Sequence, residues 1–234
     1  MHSVILLPGL ACDAELFQHQ AAALAAHAQV HVSDAHSRCA TLPQMAQALL
    51  AEHPGHPVLV GASMGGMLAL EMHRQAPHRV AAMALLGSSA RPDTPELITL
   101  RRKACELFAA GRMDEVLGAN VLFAFHPKGA SDGAMVQRYL AMIRRAGPEQ
   151  LIAQNRAVMA RTDSRPHLPH IHCPVLVACG EADQLTTPEQ SREMAALMPH
   201  ATLEMVPGAG HMLTLEQPAR LSELLLRWLQ TLRR

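Results

Sequence analysis

Short apolar runs alternate with stretches of helical spacing along most of this chain. Six such runs end at glycine, proline or polar residues, which is typical of buried strands. They are SVILLPG, VHV, PVLVGAS, RVAAMALLGSS, CPVLVACG and ATLEMVPG. Asp13 and Thr41 stand where side-chain oxygens would cap two of the intervening helices.

The alternation stops once, between the fourth and fifth predicted strands. Residues 91–165 contain helical patterns and no convincing strand; in the first, Leu97, Leu100, Ala104 and Leu107 recur at helical spacing. No Gly/Ser linker separates this block from the rest. We therefore expect a helical cap at 91–165, inserted into a core formed by residues 1–90 and 166–234.

The rest of the pattern predicts the fold class. Strands alternating with helices indicate βαβ units and a sheet covered on both faces. We predict an α/β fold with a mostly parallel six-stranded sheet, helices on both of its faces and the inserted helical cap.

Composition narrows the possible partners. The 234 residues are 49% hydrophobic, enough for a large core, and Lys plus Arg equals Asp plus Glu at 20 each. This neutral balance and an aromatic content of 3% argue against nucleic acid. No apolar run approaches the length of a membrane helix, so we expect no membrane partner. Five cysteines without C-x-x-C spacing indicate free thiols and a cytoplasmic protein.

One serine occupies an unusual position in the stretch LVGASMGGMLAL. Ser63 lies where a predicted strand turns into a predicted helix, with Gly61 and Gly65 two residues to either side. In such a sharp turn, neighbouring Cβ atoms would crowd the serine, and glycine removes the clash. The side chain of Ser63 should point out of the carboxyl edge of the sheet, where ligands bind in open α/β folds.

A serine hydroxyl is a weak nucleophile and needs a base, which in turn needs a carboxylate to orient it. His211 follows the last predicted strand on a glycine-flanked loop, and Asp183 follows the fifth. Both loops open at the same edge as Ser63. We favour Asp183 as the acid, with Glu181 and Asp93 as alternatives.

With this order of serine, aspartate and histidine, the chain resembles the α/β-hydrolase superfamily over nearly its whole length. The segments that carry the resemblance are LLPGLACD, GASMGG, GEADQLTTP and GAGHMLTLEQP. The resemblance implies that the backbone N–H groups of Leu10 and Met64 form an oxyanion hole. Many relatives have His-Gly where this chain has Pro8-Gly9, so the support of the hole must differ. The chain also opens on the strand that leads to this loop, and we expect six strands where many relatives have eight.

The resemblance further implies a serine esterase that cleaves carboxylic esters through Ser63, Asp183 and His211, with no metal and no cofactor. Alternatives with the same three residues are carbon–carbon bond hydrolysis, lactone opening and a lyase of the menaquinone-pathway type. A non-catalytic ligand receptor on this scaffold is a more distant alternative. Two other sequence features have simpler interpretations. The histidines in HLPHIHC favour a proline-broken loop over a metal site, and Cys12 favours a buried apolar residue.

The predicted cap has an uneven charge. Residues 91–165 hold 12 Lys and Arg against 8 Asp and Glu, a charge of +4, and the remainder is −4. A solvated helical surface is the simpler interpretation. The other is that the cap attracts an anionic or carrier-bound acyl group on a small-molecule ester.

Overall fold

The computed structural model describes residues 2–232, in which six strands form one parallel sheet. The strands are β1 (His2–Leu7), β2 (Ala28–Val32), β3 (Val58–Ala62), β4 (Ala82–Leu86), β5 (Val175–Gly180) and β6 (Ala201–Val206). Their order across the sheet is β2-β1-β3-β4-β5-β6, and every neighbouring pair is parallel. The predicted six-stranded α/β sheet is therefore confirmed, with all of its strands parallel.

Eleven α-helices connect and cover these strands in the described chain. They are α1 (Gln18–Ala25), α2 (Ala35–Arg38), α3 (Leu42–Glu52), α4 (Met64–Gln75), α5 (Pro95–Ala109), α6 (Met113–Ala124), α7 (Pro127–Ala130), α8 (Gly133–Met159), α9 (Pro188–Leu197), α10 (Leu213–Glu216) and α11 (Pro218–Thr231). Short 3-10 helices add Ala14–Phe17, Pro77–Arg79 and Arg165–His170. Both predicted caps are present, since Asp13 accepts from the Glu15 N–H and Thr41 from the Gln44 N–H.

The inner strands β1, β3, β4 and β5 are buried on both faces over most of their length, which explains why they contain continuous apolar runs. The edge strands β2 and β6 alternate between more and less exposed residues. Side chains alternate along β1, so that Val4 and Leu6 join one hydrophobic cluster while Ile5 and Leu7 join another. Helices α1 and α11 pack on the first face, and α3, α4 and α9 on the second.

Residues 91–165 form α5–α8, and the described chain has no strand between β4 and β5. Most of their buried apolar residues are continuous with the first face of the sheet, since Phe108, Leu117 and Phe125 share its cluster with Leu6. Ala157 and Val158 of α8 join the cluster on the second face. Helix α8 is kinked at Gly147, which has φ 78° and ψ 169°. In the sequence, two helical patterns, GAMVQRYLAMIRRAG and PEQLIAQNRAVMAR, meet at this point, before Pro148.

The parallel register brings four chain segments to one edge of the sheet. Leu7 pairs with Gly61 near the ends of β1 and β3, and Gly180 pairs with Val206 at the ends of β5 and β6. The loops that follow these strands carry the predicted site residues. Within residues 2–232, no helix is both long and apolar enough to cross a membrane.

Candidate active site

Ser63 occupies the sharp turn between β3 and α4. Its backbone angles, φ 53° and ψ −116°, lie outside the regions that a non-glycine residue usually adopts. Two hydrogen bonds hold the turn, since the Ser63 N–H donates to Leu86 O at 2.8 Å and Ser88 Oγ donates to Ser63 O at 2.9 Å. The backbone strain at Ser63 is therefore maintained by the neighbouring strand β4 and the loop that follows it.

The positions of Gly61 and Gly65 leave no room for a side chain beside Ser63. A Cβ on Gly65 would overlap the carbonyl oxygen of Leu7, and a Cβ on Gly61 would overlap that of Gly65. Both obstacles are backbone atoms, which cannot turn away as a side chain can. These contacts explain why glycine stands on both sides of the turn.

The structure brings Ser63, His211 and Asp183 together in one hydrogen-bonded line. Ser63 Oγ lies 2.9 Å from His211 Nε2, although the two residues are 148 positions apart. On the other side of the ring, His211 Nδ1 lies 2.9 Å from Asp183 Oδ2. This is the geometry in which a histidine can take a proton from a serine while a carboxylate holds its tautomer.

Asp183 is buried, and both oxygens of its carboxylate accept hydrogen bonds. Oδ1 accepts the N–H groups of Leu185 and Thr186, each at 2.9 Å. Burial by itself raises the pKa of Asp183, but His211 and these hydrogen bonds outweigh it, and the pKa is lower than the usual 3.8. The carboxylate is therefore ionised at neutral pH, as a partner of a histidine must be to stabilise its charged form.

Thr186 is a member of this site that sequence reasoning missed. Its Oγ1 donates to Asp183 Oδ2 at 2.9 Å and lies 3.2 Å from His211 Nδ1. A local signal was present, because an aspartate three residues before a threonine can fold into a turn that accepts the following N–H groups. The hydroxyl touches both partners and restricts how they can move relative to each other.

The two alternative acids lie away from His211. Asp93 is buried between two cations, with Arg101 Nε at 2.7 Å from Oδ2 and Arg161 Nη2 at 2.7 Å from Oδ1. Glu181 accepts the Gly208 N–H at 2.9 Å at the surface. Neither carboxylate contacts the ring of His211, so the geometry favours Asp183.

The two predicted oxyanion donors are available at this edge. Within the described chain, neither the Leu10 N–H nor the Met64 N–H has a hydrogen-bond acceptor. The first loop lies close to the serine at Gly9, where a Cβ would lie 3.4 Å from Ser63 Cβ. Met64 is the first residue of α4, where the helix dipole favours negative charge.

Glu216 is a second residue that the sequence did not reveal. Its carboxylate accepts the His126 N–H at 2.7 Å and the Gly210 N–H at 2.7 Å. On the other side of His211, the Met212 N–H donates to Ala124 O at 3.0 Å. The end of α6 therefore holds both flanks of the loop that carries His211.

Cys12 is buried, and the histidine-rich segment overlaps the 3-10 helix Arg165–His170. Cys12 is 6% exposed, and burial raises the pKa of its thiol to about 12, so it remains protonated at neutral pH. In HLPHIHC, His167 Nε2 lies 3.0 Å from Nδ1 of the buried His73. Residues 2–232 contain no group of three or more histidine, cysteine, aspartate or glutamate side chains placed to hold a metal ion.

Known proteins that are similar in sequence to this chain are named as enzymes. Two relatives are pimeloyl-[acyl-carrier protein] methyl ester esterases. The one from Vibrio cholerae is 26% identical over 231 residues, covering 89% of this chain and 86% of its own. The one from Xanthomonas oryzae is 27% identical over 243 residues, covering 97% and 94%.

Solved structures show which proteins share the fold of this chain. A thermophilic esterase from Thermogutta terrifontis superposes with a TM-score of 0.91 at 27% identity, covering 100% of this chain and 91% of its own. An enol-lactonase from Burkholderia xenovorans superposes with a TM-score of 0.84 at 24% identity, covering 98% and 91%. The family model of the alpha/beta hydrolase fold matches residues 2–218. With its sheet, its serine turn and this match over nearly its whole length, the chain belongs to the alpha/beta hydrolase fold family.

Proposed function

We propose that this chain is a serine carboxylesterase that works through Ser63, His211 and Asp183. The observation that carries the proposal is the continuous line from Ser63 Oγ through both ring nitrogens of His211 to Asp183, with both contacts at 2.9 Å. Ester hydrolysis as the reaction type is supported by the family and by the esterases among its relatives.

In the first half of the reaction, Ser63 Oγ attacks the acyl carbon of the ester while His211 Nε2 takes the hydroxyl proton. The carbonyl oxygen becomes an oxyanion and receives the N–H groups of Leu10 and Met64. Each such donor contributes about 2.7–4 kcal/mol to stabilising the transition state. The tetrahedral intermediate then collapses, His211 gives its proton to the leaving alcohol, and the acyl group stays on Ser63.

In the second half, water attacks the acyl group on Ser63 while His211 Nε2 takes a proton from that water. Collapse of the second intermediate returns this proton to Ser63 Oγ and releases the carboxylic acid. Asp183 stays ionised throughout and stabilises the charged ring. None of these steps calls for a metal or an organic cofactor.

We further propose that residues 91–165 act as a lid over a core of residues 1–90 and 166–234. Most basic residues of this segment have acidic partners, but three exposed cations have none within the described chain: Arg102, Lys128 and Arg156. With the +4 charge of the segment, they favour an ester whose acyl group is anionic or carrier-bound. The names of the two curated relatives support the carrier-bound form. Five free cysteines favour a cytoplasmic setting.

The first experiment compares the parent protein with Ser63→Ala on short p-nitrophenyl esters. Loss of the nucleophile should lower kcat by roughly 10⁶-fold. Circular dichroism and a thermal unfolding curve control for folding. Turnover by folded Ser63→Ala at the parental rate would overturn the proposal.

A substrate panel separates ester hydrolysis from the reactions that could use the same residues. It contains p-nitrophenyl esters, methyl esters of free and carrier-bound acyl chains, lactones and dienoic diketones. The proposal predicts that an ester has the highest kcat/KM of the panel. It also predicts a higher kcat/KM for the carrier-bound methyl ester than for the methyl ester of the free acyl chain. A lactone or diketone that is turned over faster than every ester would replace the proposed reaction. Binding of a panel member without turnover would indicate a receptor.

A further inference from the structure

The loop that carries Leu10 has an unusual conformation. Residues 8–12, named here the oxyanion loop, contain Ala11 at φ 58°, the left-handed region that non-glycine residues rarely adopt. The loop closes on itself through one internal hydrogen bond, from the Cys12 N–H to Gly9 O at 3.1 Å. One bond does not fix the direction of the Leu10 N–H, so other contacts must hold the loop.

A glutamine on α8 provides the first of these contacts. Gln154 Oε1 accepts the Ala11 N–H at 2.6 Å, across 143 positions of sequence. Gln154 is 1% exposed, so water does not compete for this bond. Its Nε2 donates to His36 O at 3.0 Å and to Gln150 Oε1 at 3.2 Å, which fixes the orientation of the amide.

His36 provides the second contact. Its Nε2 lies 2.7 Å from Cys12 O, and a ring nitrogen facing a carbonyl oxygen must be the donor. His36 is buried, and burial lowers its pKa. A neutral ring with its proton on Nε2 satisfies this bond. Gln154 and His36 thus bind successive residues of the oxyanion loop and also bind each other.

Apolar packing also contributes to holding the loop, since Ala11 and Cys12 belong to the hydrophobic cluster on the first face of the sheet. An open pocket of about 360 Å³ borders the same two residues, and Gln154 and His36 are part of its lining. Packing is not directional, so the hydrogen bonds to Gln154 and His36 are the contacts that orient the peptide groups of the loop. Pro8 also offers no hydrogen-bonding side chain where many relatives have a histidine.

We propose that Gln154 is a positioning residue for the oxyanion hole. By accepting the N–H of the peptide that joins Leu10 to Ala11, it keeps the loop in the conformation that aims the Leu10 N–H at the oxyanion. The inference rests on the proposed function, because it takes Leu10 as a donor. It also gives the segment of α5–α8 a direct role in the rate of the reaction.

The test replaces Gln154 with methionine, which has nearly the same shape but no acceptor for the Ala11 N–H. The matched control is Asn155→Leu, which removes the neighbouring buried amide of α8. Asn155 bonds to Leu151 O and Arg101 and does not touch the oxyanion loop. Both variants are assayed with p-nitrophenyl butyrate, with kcat expressed per Ser63 titrated by a fluorophosphonate, so that only folded enzyme is counted.

A second readout is the affinity for an alkyl boronic acid. Its tetrahedral adduct with Ser63 places a negatively charged oxygen in the oxyanion hole, whereas the ground-state ester does not. Gln154→Met should lower kcat about 10- to 100-fold, less than the loss of a whole donor, with KM changed by less than about threefold. Boronate affinity should fall by the same factor as kcat. Asn155→Leu should leave both within about threefold of the parent.

Gln154→Glu covers the case in which Gln154→Met does not fold, because it keeps an oxygen acceptor for the Ala11 N–H and loses the NH₂ group that donates to His36 O and Gln150 Oε1. Its loss of kcat should be smaller than about tenfold and again matched by boronate affinity. Parental kcat in Gln154→Met would overturn the inference, as would a fall in kcat without a fall in boronate affinity in either variant. If the parent itself shows no Ser63-dependent esterase activity, the proposed function has failed instead.

Discussion

Asp183 shows how much of this site depends on single side chains. Four groups bind its carboxylate: two backbone N–H groups, the hydroxyl of Thr186 and the ring of His211. A carboxylate that is buried and ionised has to be satisfied in this way, because an unpaired charge is very costly away from water. The same bonds that orient His211 therefore also contribute to the stability of the fold.

Asp183→Asn should lower kcat by roughly 10⁴-fold, since the amide favours the wrong tautomer of His211. It should also change how stability depends on pH. The folded pKa of Asp183 lies below its ordinary value of 3.8, so its ionised form stabilises the fold fully above that value. This contribution is lost as the pH falls through the lower, folded pKa.

Urea unfolding of the parent and of Asp183→Asn, at several values between about pH 6 and pH 3, measures this contribution. The advantage of the parent in free energy of unfolding should be constant above about pH 5 and shrink below about pH 4. An advantage that stays constant or grows on acidification would contradict the assignment.

Sequence reasoning predicted some residues of the candidate site and could not predict others. Ser63 and Asp183 each follow a strongly apolar strand, and His211 follows the last strand on a glycine-flanked loop, so local patterns predict all three at one edge of the sheet. Gln154 and Glu216 act on residues 143 and 90 positions away, and no local pattern marks them. Their roles depend on how α8 and α10 pack, which is a property of the tertiary structure.

Among the helices, α8 shows most clearly how one residue of the sequence determines a backbone conformation. Gly147 lies at φ 78° and ψ 169°, a conformation open in practice only to glycine. A Cβ at this position would have no neighbour within 4 Å in the described structure. Any cost of substitution at Gly147 therefore comes from the backbone and not from crowding.

Gly147→Ala should lower the free energy of unfolding by about 1–3 kcal/mol. The matched control is Gly118→Ala in α6, where a Cβ also meets nothing within 4 Å but the backbone is helical. In Gly118→Ala, the free energy of unfolding should rise by about 0.5–1 kcal/mol, because alanine has a higher helix propensity than glycine. Urea unfolding of both variants checks the pair, and equal effects of the same sign would contradict this account of the kink.

The sequence predicts the six strands and the break in α8 better than it predicts the shortest helices. All six strands and the break in α8 follow from apolar runs, spacing and Gly-Pro. Helices α2, α7 and α10 have only four residues each. A single turn is too short for a period of 3.6 residues to show, so these helices become visible only in the structure.

At the scale of the whole molecule, the uneven charge of residues 91–165 is partly explained by ion pairs. Arg138 and Arg145 of α8 lie 2.6 and 2.8 Å from Glu15 and Asp13, which follow β1. Arg91 contacts Glu193 of α9 at 2.7 Å. Positive charge on this segment thus meets negative charge on the rest of the chain, which composition alone could not reveal.

The central claim for the whole molecule is that three loops far apart in sequence make one hydroxyl, that of Ser63, an effective nucleophile. Labelling with a fluorophosphonate, followed by peptide mapping in a mass spectrometer, tests this claim most directly. The account predicts one label per chain, on the peptide that contains Ser63, with esterase activity lost in proportion to labelling and no label on Ser63→Ala. A label on another residue, or esterase activity that survives complete labelling, would contradict it.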